Sequence, residues 1–299
     1  MSGDESVAHA AELIRAGRLV AFPTETVYGL GANALDAEAV ARIFAAKGRP
    51  RTVPLIVHVD SIAMARTLAS VWPEAAETLA RRYWPGPLTL VLPKRPVVPD
   101  IVTAGLPTVG LRMPAHPLAL ALIRTAAVPI AAPSANRFTE LSPTAAADVP
   151  SALADCVLDG GPAQVGIEST VLSLVGAPLL LRPGVIPLPE IEKLIGPVEI
   201  AASVIAGAHP SPGMHLRHYR PATPLILIGP GDPAPDGRGA RLRMGHEMPA
   251  DPLEYAAALY RTLHRLDAEG WEWIAIDCPP ETPGWAGVLD RLRRAATSR

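Results

Sequence analysis

The sequence predicts an α/β fold with a sheet flanked by helices, followed by a small open α/β domain of Rossmann-like type. Short apolar runs alternate with amphipathic helical stretches from Leu19 to Arg182, and strand and helix patterns recur after Pro224. Between them lies a proline-rich, basic stretch without periodicity. We therefore predict a main domain at residues 1–204, a linker or lid at 205–224 and a small domain at 225–299.

Composition excludes several classes of protein. The chain has 299 residues, 49% of them hydrophobic, and a net charge of −2, so the whole-chain charge does not favour binding to nucleic acid or a membrane. Two cysteines without a C-x-x-C pattern argue against a disulfide framework and a zinc site. No apolar run reaches the roughly 18 residues of a membrane helix. The expected location is therefore the cytoplasm.

The first unit is predicted to be a helix at Val7–Arg15 and a strand at Leu19–Phe22. A hydroxyl-rich turn at Thr24–Thr26 follows, and the glycines Gly29 and Gly31 are expected to free the backbone. These glycines also fit the dinucleotide fingerprint G-x-G-x-x-A. Because six residues separate them from the strand, we interpret the match as false.

The next helix ends in a cluster of cations. Asp36 is predicted to cap its N-terminus, and Gly48 to end it directly after Lys47. Arg49 and Arg51 follow within the same short loop. Three cations on one loop indicate a site for a polyanion, most simply the phosphates of a nucleotide, although such residues can also be a solvated helix end.

Further polar residues come at the ends of predicted strands. The predicted strands are Pro54–Val59, Leu88–Leu92, Thr108–Arg112, Val128–Ala132, Cys156–Asp159, Thr170–Leu174 and Leu179–Arg182. The predicted helices are Ile62–Leu68, Glu74–Tyr83 and His116–Ala126. The polar side chains at these ends and turns are Thr24, His58, Arg112, Ser134, Asn136, Ser142, Ser169, Thr170 and Arg182. Ser142 is also expected to cap a helix, with Pro143 at its first position.

This set of side chains is rich in cations and hydroxyls and lacks pairs of a nucleophile and a base. Arg112 and Arg182 each stand where an apolar strand meets a loop, where a guanidinium can hold a carboxylate or phosphate bidentately. Such a site favours the positioning of anions over covalent catalysis. In the small domain we predict strands at Leu225–Gly229 and Trp273–Asp277, helices at Leu253–Glu269 and Trp285–Ala296, and loops from Pro230 to Pro252.

A series of short motifs resembles the YrdC-like threonylcarbamoyl-AMP synthases. The motifs are P-T-E-T-V-Y-G-L-G from Pro23, K-G-R from Lys47, P-L-I-V-H from Pro54, W-P-G-P-L-T from Trp84, R-M-P-A-H-P from Arg112, P-S-A-N from Pro133 and E-S-T from Glu168. The segment S-P-G-M-x-x-R-H-Y-x-P from Ser211 and the run R-L-R-R-A-A from Arg291 resemble the long form of this family, which adds a C-terminal domain.

The resemblance implies a twisted mixed sheet with a concave ligand-binding face. It implies that L-threonine, bicarbonate and ATP, with Mg²⁺, give threonylcarbamoyl-AMP and pyrophosphate, and that a partner transferase moves the threonylcarbamoyl group to tRNA. No protein side chain is assigned to the metal. The residues expected around ATP are Lys47, Arg49, Arg51, Thr108, Ser134, Asn136, Ser142, Arg182 and Tyr219, with Tyr219 closing over the site. Those expected around threonine are Thr24, His58, Arg112 and Thr170.

Two other functions stay open. The chain could bind RNA, weakly and in addition to catalysis or as its main role, because Arg291, Arg293, Arg294 and Arg299 lie near its end. Its aromatic content of 4% and its near-neutral charge argue against this reading. Alternatively, it could transfer a carbamoyl or adenylyl group to another acceptor.

Overall fold

The structure is a computed structural model that describes residues 3–201, 219–229 and 231–296. Most of the predicted linker, with its cluster of His and Arg, therefore lies outside the described residues. The described chain resumes at Tyr219. The predicted domain boundaries stay predictions.

Helices and strands alternate along the described chain. The helices are α1 Gly3–Arg15, α2 Ala37–Lys47, α3 Ile62–Leu68, α4 Glu74–Tyr83, α5 Asp100–Thr103, α6 Pro117–Ala126, α7 Leu188–Ile195, α8 Pro252–Glu269 and α9 Ala286–Ala295. The strands are β1 Val20–Phe22, β2 Gly29–Asn33, β3 Ile56–His58, β4 Leu88–Pro93, β5 Thr108–Arg112, β6 Ile130–Ala131, β7 Cys156–Val157, β8 Thr170–Ser173, β9 Leu179–Arg182, β10 Glu199–Ile200, β11 Leu225–Ile228, β12 Gly239–Leu242 and β13 Trp273–Asp277. No helix in the described ranges is long and apolar enough to span a membrane.

The first part of the chain forms a mixed sheet, as predicted. Among the described residues it has ten strands in the order β10-β9-β8-β4-β5-β3-β6-β2-β1-β7. Strands β3 and β5 run parallel, as do β4 and β8, whereas β4 and β5 are antiparallel. Helices α2, α3 and α4 cover one apolar cluster, and α1 and α6 pack over another. The sheet is thus buried between helices.

A smaller parallel sheet follows in the order β11-β13-β12. It confirms a small open α/β unit, and β12 lies within the region that we predicted to be loops. Its apolar core contains residues from α8 and α9, but also Val27, Leu141 and Ile167 from the first part of the chain. The two parts therefore share one apolar cluster.

Two local signals at α2 are confirmed. Asp36 accepts hydrogen bonds from the backbone N–H groups of Glu38 and Ala39. Gly48 takes φ 63°, in the left-handed region, and its N–H donates to the carbonyls of Phe44 and Ala45 at the end of the helix. Both signals are local to a helix end, where the nearest residues alone decide the geometry.

The prediction of a free backbone at Gly29 and Gly31 was wrong, because both lie in strand β2. Their role is to allow close packing. A Cβ atom on Gly31 would lie 2.7 Å from the Phe22 ring and 2.8 Å from Ile130 Cγ2. The rejection of the dinucleotide fingerprint is confirmed, since these glycines begin no helix.

The prediction of a helix capped by Ser142 was also wrong. The described chain has only a single 3₁₀ turn there, at Ala146–Asp148. The Ser142 hydroxyl instead donates a hydrogen bond of 2.6 Å to Glu168 Oε1. A long-range carboxylate thus takes the hydroxyl that the local pattern assigned to a cap. Helices α5 and α7 also lie in segments for which we predicted none.

Candidate functional site

A small, partly open cavity of about 50 Å³ lies where loops from the first part of the chain meet Tyr219. The register of β3 and β5 places His58 beside Arg112 at the ends of both strands. The residues that line the cavity are Thr24, Thr26, Val27, Gly29, Arg49, Ile56, His58, Arg112, Ala132, Pro133, Ser134, Glu168, Ser169, Arg182 and Tyr219. Seven of the thirteen residues predicted for the site are in this lining.

Three arginines line the cavity and are almost fully buried. Arg49, Arg112 and Arg182 are 7%, 4% and 3% exposed. Burial lowers the pKa of Arg49 to about 10, so this side chain remains charged at neutral pH, and burial lowers the pKa of Arg182 as well. Arg49 Nη2 donates to the Pro54 carbonyl at 3.0 Å, whereas its Nε has no hydrogen-bond partner among the described residues. The cavity is therefore suited to anions.

His58 is an uncharged member of this lining. Burial, and then the positive charge of Arg112, lower its pKa to about 3. The ring of Phe22 meets the imidazole edge-on, with 6.0 Å between the ring centroids. The Nδ1 atom has no hydrogen-bond partner among the described residues. A neutral imidazole can serve a ligand as either donor or acceptor.

Arg112 forms a buried ion pair that the sequence did not reveal. Its Nη2 atom lies 2.7 Å from Oε1 of Glu25, and its Nε donates to the Gly86 carbonyl at 3.3 Å. The other carboxylate oxygen of Glu25 accepts from the Ala115 N–H at 3.0 Å. Glu25 lies in the P-T-E-T motif, which marked it as part of a conspicuous stretch of sequence. Its partner Arg112 is 87 positions away, so the sequence did not indicate the ion pair. Glu25 therefore orients the guanidinium.

The predicted turn after β1 is held by its own hydroxyls. Thr24 Oγ1 donates to the Val27 carbonyl at 2.6 Å and lies 2.9 Å from Thr26 Oγ1. The same oxygen accepts from the N–H groups of Thr26 and Val27 at 3.2 Å. This network fixes the two threonines at the cavity wall. Thr26 is a lining residue that we did not predict.

Lys47 points inward, not out of its loop as predicted. Its Nζ donates to the carbonyls of Ser134, at 2.5 Å, and Asn136. Burial, and then the nearby charge of Arg49, hold the pKa of this amine well below its usual range. Lys47 thereby joins α2 to the turn that carries Ser134 into the cavity wall. It is a support for the site and does not line it.

Five other predicted residues are not brought to the cavity. Arg51 is exposed, and Thr108 lines a separate crevice with Gly110 and Val171. Asn136 donates to the carbonyls of Arg137 and Glu140, both at 2.9 Å. The remaining two are Ser142, bonded to Glu168, and Thr170, whose hydroxyl accepts from the Ile186 N–H at 3.4 Å. Several of these residues thus support the loops around the cavity.

Tyr219 closes one side of the cavity. It is 1% exposed and has φ 62°, which is rare for a residue with a side chain. The next residue, Arg220, donates its N–H to the Thr139 carbonyl at 3.0 Å, which ties this segment to the first part of the chain. Tyr219 therefore lies where we predicted it, over the site. Its movement as a lid stays a prediction.

Glu168 and Arg291 each begin a motif noted in the sequence, but the sequence did not reveal the contact between them. Glu168 lines the cavity, and Arg291 reaches it from α9 with Nε 2.7 Å from Glu168 Oε2. The sequence offers Arg291 as one of four cations that could contact RNA, but its side chain is 0% exposed. Arg293 pairs with Glu281, and Arg294 with Asp290. Arg299 lies outside the described residues.

Comparison with known proteins gives consistent likenesses. Residues 12–184 match the Sua5–YciO–YrdC family, described as telomere recombination, and residues 186–297 match the threonylcarbamoyl-AMP synthase C-terminal domain. The threonylcarbamoyl-AMP synthase of Pyrococcus abyssi is 45% identical over 97% of this chain and 94% of its own length. That of Bacillus subtilis is 42% identical over 100% and 95%. The crystal structure of P. abyssi Sua5 complexed with L-threonine superposes with a TM-score of 0.91, at 42% identity, over 98% of this chain and 94% of that one.

Proposed function

Because this chain belongs to the Sua5–YciO–YrdC family and carries the threonylcarbamoyl-AMP synthase C-terminal domain, we propose that it forms L-threonylcarbamoyl-AMP and pyrophosphate from L-threonine, bicarbonate and ATP. The observation that carries this proposal is the convergence of Arg49, Arg112 and Arg182 on one cavity. In the reaction, a carbamate oxygen must approach the α-phosphorus of a triphosphate, and both groups are anions. Fixed guanidinium groups offset the repulsion between these two anions.

Threonine is proposed to bind at Thr24, His58 and Arg112. The Arg112 guanidinium, held by Glu25, offers its Nη2 donor to the threonine carboxylate. His58 stays neutral and can hydrogen-bond the ligand without adding charge. The hydroxyls of Thr24 and Thr26 lie on the same wall. The related P. abyssi structure is complexed with L-threonine, which supports this substrate.

ATP is proposed to place its phosphates near Arg49 and Arg182, with Ser134 and Tyr219 on the same wall. Bicarbonate gives CO₂ and hydroxide, the neutral threonine amine adds to the CO₂, and the proton lost from the amine combines with the hydroxide as water, which leaves the carbamate. A carbamate oxygen then forms a bond to the α-phosphorus. The bond from that phosphorus to the bridging oxygen breaks, and pyrophosphate leaves with the electron pair. The residues of the cavity align these groups and stabilise the charge that develops.

Mg²⁺ is proposed to arrive with ATP. In the described ranges no group of three or more His, Cys, Asp or Glu side chains could hold a metal ion. Glu168, which lines the cavity, and Glu25, which pairs with a lining residue, each form an ion pair with an arginine. We propose the oxygens of the phosphates as ligands for the ion, since Mg²⁺ is commonly bound through substrate phosphates.

We propose that the product passes to a transferase that modifies tRNA, and that the activity is cytoplasmic. Arg291 is buried and is not available to RNA, whereas weak RNA contact through Arg293, which is 55% exposed and pairs with Glu281, stays a proposal. Transfer of a carbamoyl or adenylyl group to another acceptor stays an alternative.

Release of pyrophosphate by the purified protein tests the proposed function. The assay contains ATP, Mg²⁺ and bicarbonate, with L-threonine, with L-serine or with neither. We expect release that depends on threonine, falls with serine and stops when a chelator removes the metal. Binding of ATP without release under any of these conditions contradicts the proposal.

A further inference from the structure

Glu168 places a negative charge in a cavity built for anions. Among the described lining residues it is the only one with a carboxylate, and it is 8% exposed. Its Oε1 accepts from Ser142 at 2.6 Å, and its Oε2 lies 3.3 Å from the Tyr260 hydroxyl. An uncompensated carboxylate here would repel a phosphate and attract Arg182 away from it.

Arg291 compensates that charge from the other part of the chain. Its Nε and Nη2 donate to the carboxylate and the backbone carbonyl of Glu168, at 2.7 Å and 3.0 Å. Its Nη1 donates to the carbonyl of Pro183, the residue after Arg182, at 2.8 Å. The guanidinium also lies 5.3 Å from the centre of the Tyr219 ring. One buried side chain of α9 thus contacts three segments that line or adjoin the cavity.

We propose that Arg291 is a positioning residue, through which the small domain neutralises Glu168 and keeps Arg182 directed toward an anionic ligand. This inference rests on the proposed function, because it concerns the binding of ATP. It assigns to the small domain a share in the nucleotide site, although none of the described side chains of this domain lines the cavity.

The electrostatics of Glu168 support this role. Burial alone would raise the pKa of Glu168, but the positive charges of Arg291 and then Arg182 outweigh burial and lower it. Glu168 is therefore ionised at neutral pH. If Arg291 is removed, Arg182 is the remaining cation that stabilises this carboxylate, and it cannot then serve the phosphates equally well.

A purely structural role for Arg291 makes a different prediction, which a second substitution can separate. If Arg291 only ties α9 to the main sheet, removing the charge of Glu168 should not restore nucleotide binding. If it neutralises Glu168, then Glu168→Gln should rescue Arg291→Met. In Glu168→Gln alone, Arg291 keeps Asp290 as a partner at 2.8 Å.

The experiment compares Arg291→Met, Arg291→Lys, Glu168→Gln and the double variant Glu168→Gln/Arg291→Met. The control is Arg293→Met on the same helix, where the side chain is 55% exposed. Thermal unfolding checks folding, and threonine-dependent pyrophosphate release gives KM for ATP and for threonine. We expect KM for ATP to rise at least about tenfold in Arg291→Met, with a smaller change for threonine. The double variant and Arg291→Lys should recover most of this loss, and Arg293→Met should match the unaltered protein.

Two results overturn the inference alone. One is an unchanged KM for ATP in folded Arg291→Met. The other is a folded double variant whose KM for ATP is as high as that of Arg291→Met. If Arg291→Met does not fold, the corresponding result is a KM for ATP in the double variant at least about tenfold above that of Glu168→Gln. Failure of the unaltered protein to release pyrophosphate with threonine overturns the proposed function, and this inference with it.

Discussion

Arg112 Nη2 lies 2.7 Å from Glu25 Oε1 in an ion pair whose atoms are not aligned as a hydrogen bond. Neither atom has another hydrogen-bond partner among the described residues. The two side chains are only 5% and 7% exposed. Charge is thus balanced inside the protein, while a donor on Arg112 remains to be satisfied. A ligand carboxylate can take up this donor, and Glu25 can keep the guanidinium in place while it does so.

Replacing Arg112 by Ala should weaken threonine binding far more than ATP binding. Losing a hydrogen bond to a charged group costs about 1.5–3 kcal/mol, so KM for threonine should rise roughly tenfold to a hundredfold. The variant should also be less stable by about 3–5 kcal/mol, because Glu25 is left buried without a partner. Glu25→Gln/Arg112→Ala should recover stability but not threonine affinity. Calorimetric unfolding and steady-state kinetics measure the two effects, and an equal loss of both ligands contradicts the assignment of Arg112.

His58 should make the protein less stable as the pH falls. Its pKa in the folded state is lowered from 6.5 to about 3, first by burial and then by Arg112. Below pH 6.5 the unfolded chain binds a proton that the folded chain does not, so the free energy of unfolding decreases by about 1.4 kcal/mol per pH unit. Urea unfolding at several values between about pH 4.5 and 6.5 gives the free energy of unfolding as a function of pH. This dependence on pH should be shallower for His58→Gln than for the unaltered protein. His9→Gln, on the exposed side of α1, is the matched control and should keep the steeper slope.

Replacing Lys47 by Met should abolish most activity while the protein stays folded. The turn that carries Ser134 loses the two hydrogen bonds from Lys47 Nζ. Stability should change by less than about 2 kcal/mol, because relief from burying a charge offsets the lost bonds. Lys193→Met, at an exposed position of α7, provides the same substitution as a control. Full activity of folded Lys47→Met in the pyrophosphate assay would show that the turn needs no such support.

Replacing Gly31 by Ala should destabilise the fold through crowding. The added Cβ would meet Phe22 at 2.7 Å and Ile130 at 2.8 Å, and overpacking of this kind costs about 1–3 kcal/mol. Gly284→Ala is a suitable control, since its Cβ would meet Pro252 at an ordinary 3.5 Å. Chemical denaturation of both variants measures the difference. Equal stability of the two would mean that β2 shifts to make room at no cost.

The sequence predicted those parts of the fold that depend on nearby residues. Asp36 and Gly48 bound α2 because caps involve only the adjacent turn. Arg112 and Arg182 could be singled out because a charge at the end of an apolar strand is visible in the chain itself. Strand β2 was missed because glycines mark a close approach as well as a turn, and only the packing of Phe22 and Ile130 distinguishes the two.

Long-range partners account for the rest. Glu168 and Arg291 are 123 positions apart, and no local pattern connects them. The sequence marked Arg291 as the start of the R-L-R-R-A-A motif and as one of several cations near the chain end, but not as the partner of a buried carboxylate. Ser142 has the features of a helix cap, but Glu168 takes its hydroxyl. The orientation of Lys47 was likewise decided by carbonyls of a distant turn.

The apolar cluster beneath α8 and α9 affects how the protein unfolds. Val27, Leu141 and Ile167 belong to the first part of the chain, yet they complete this cluster. Melting the small unit would expose them to water and at the same time leave Glu168 unpaired. The two units should therefore lose structure in one cooperative transition, with a single peak in heat capacity, although the chain contains two separate sheets.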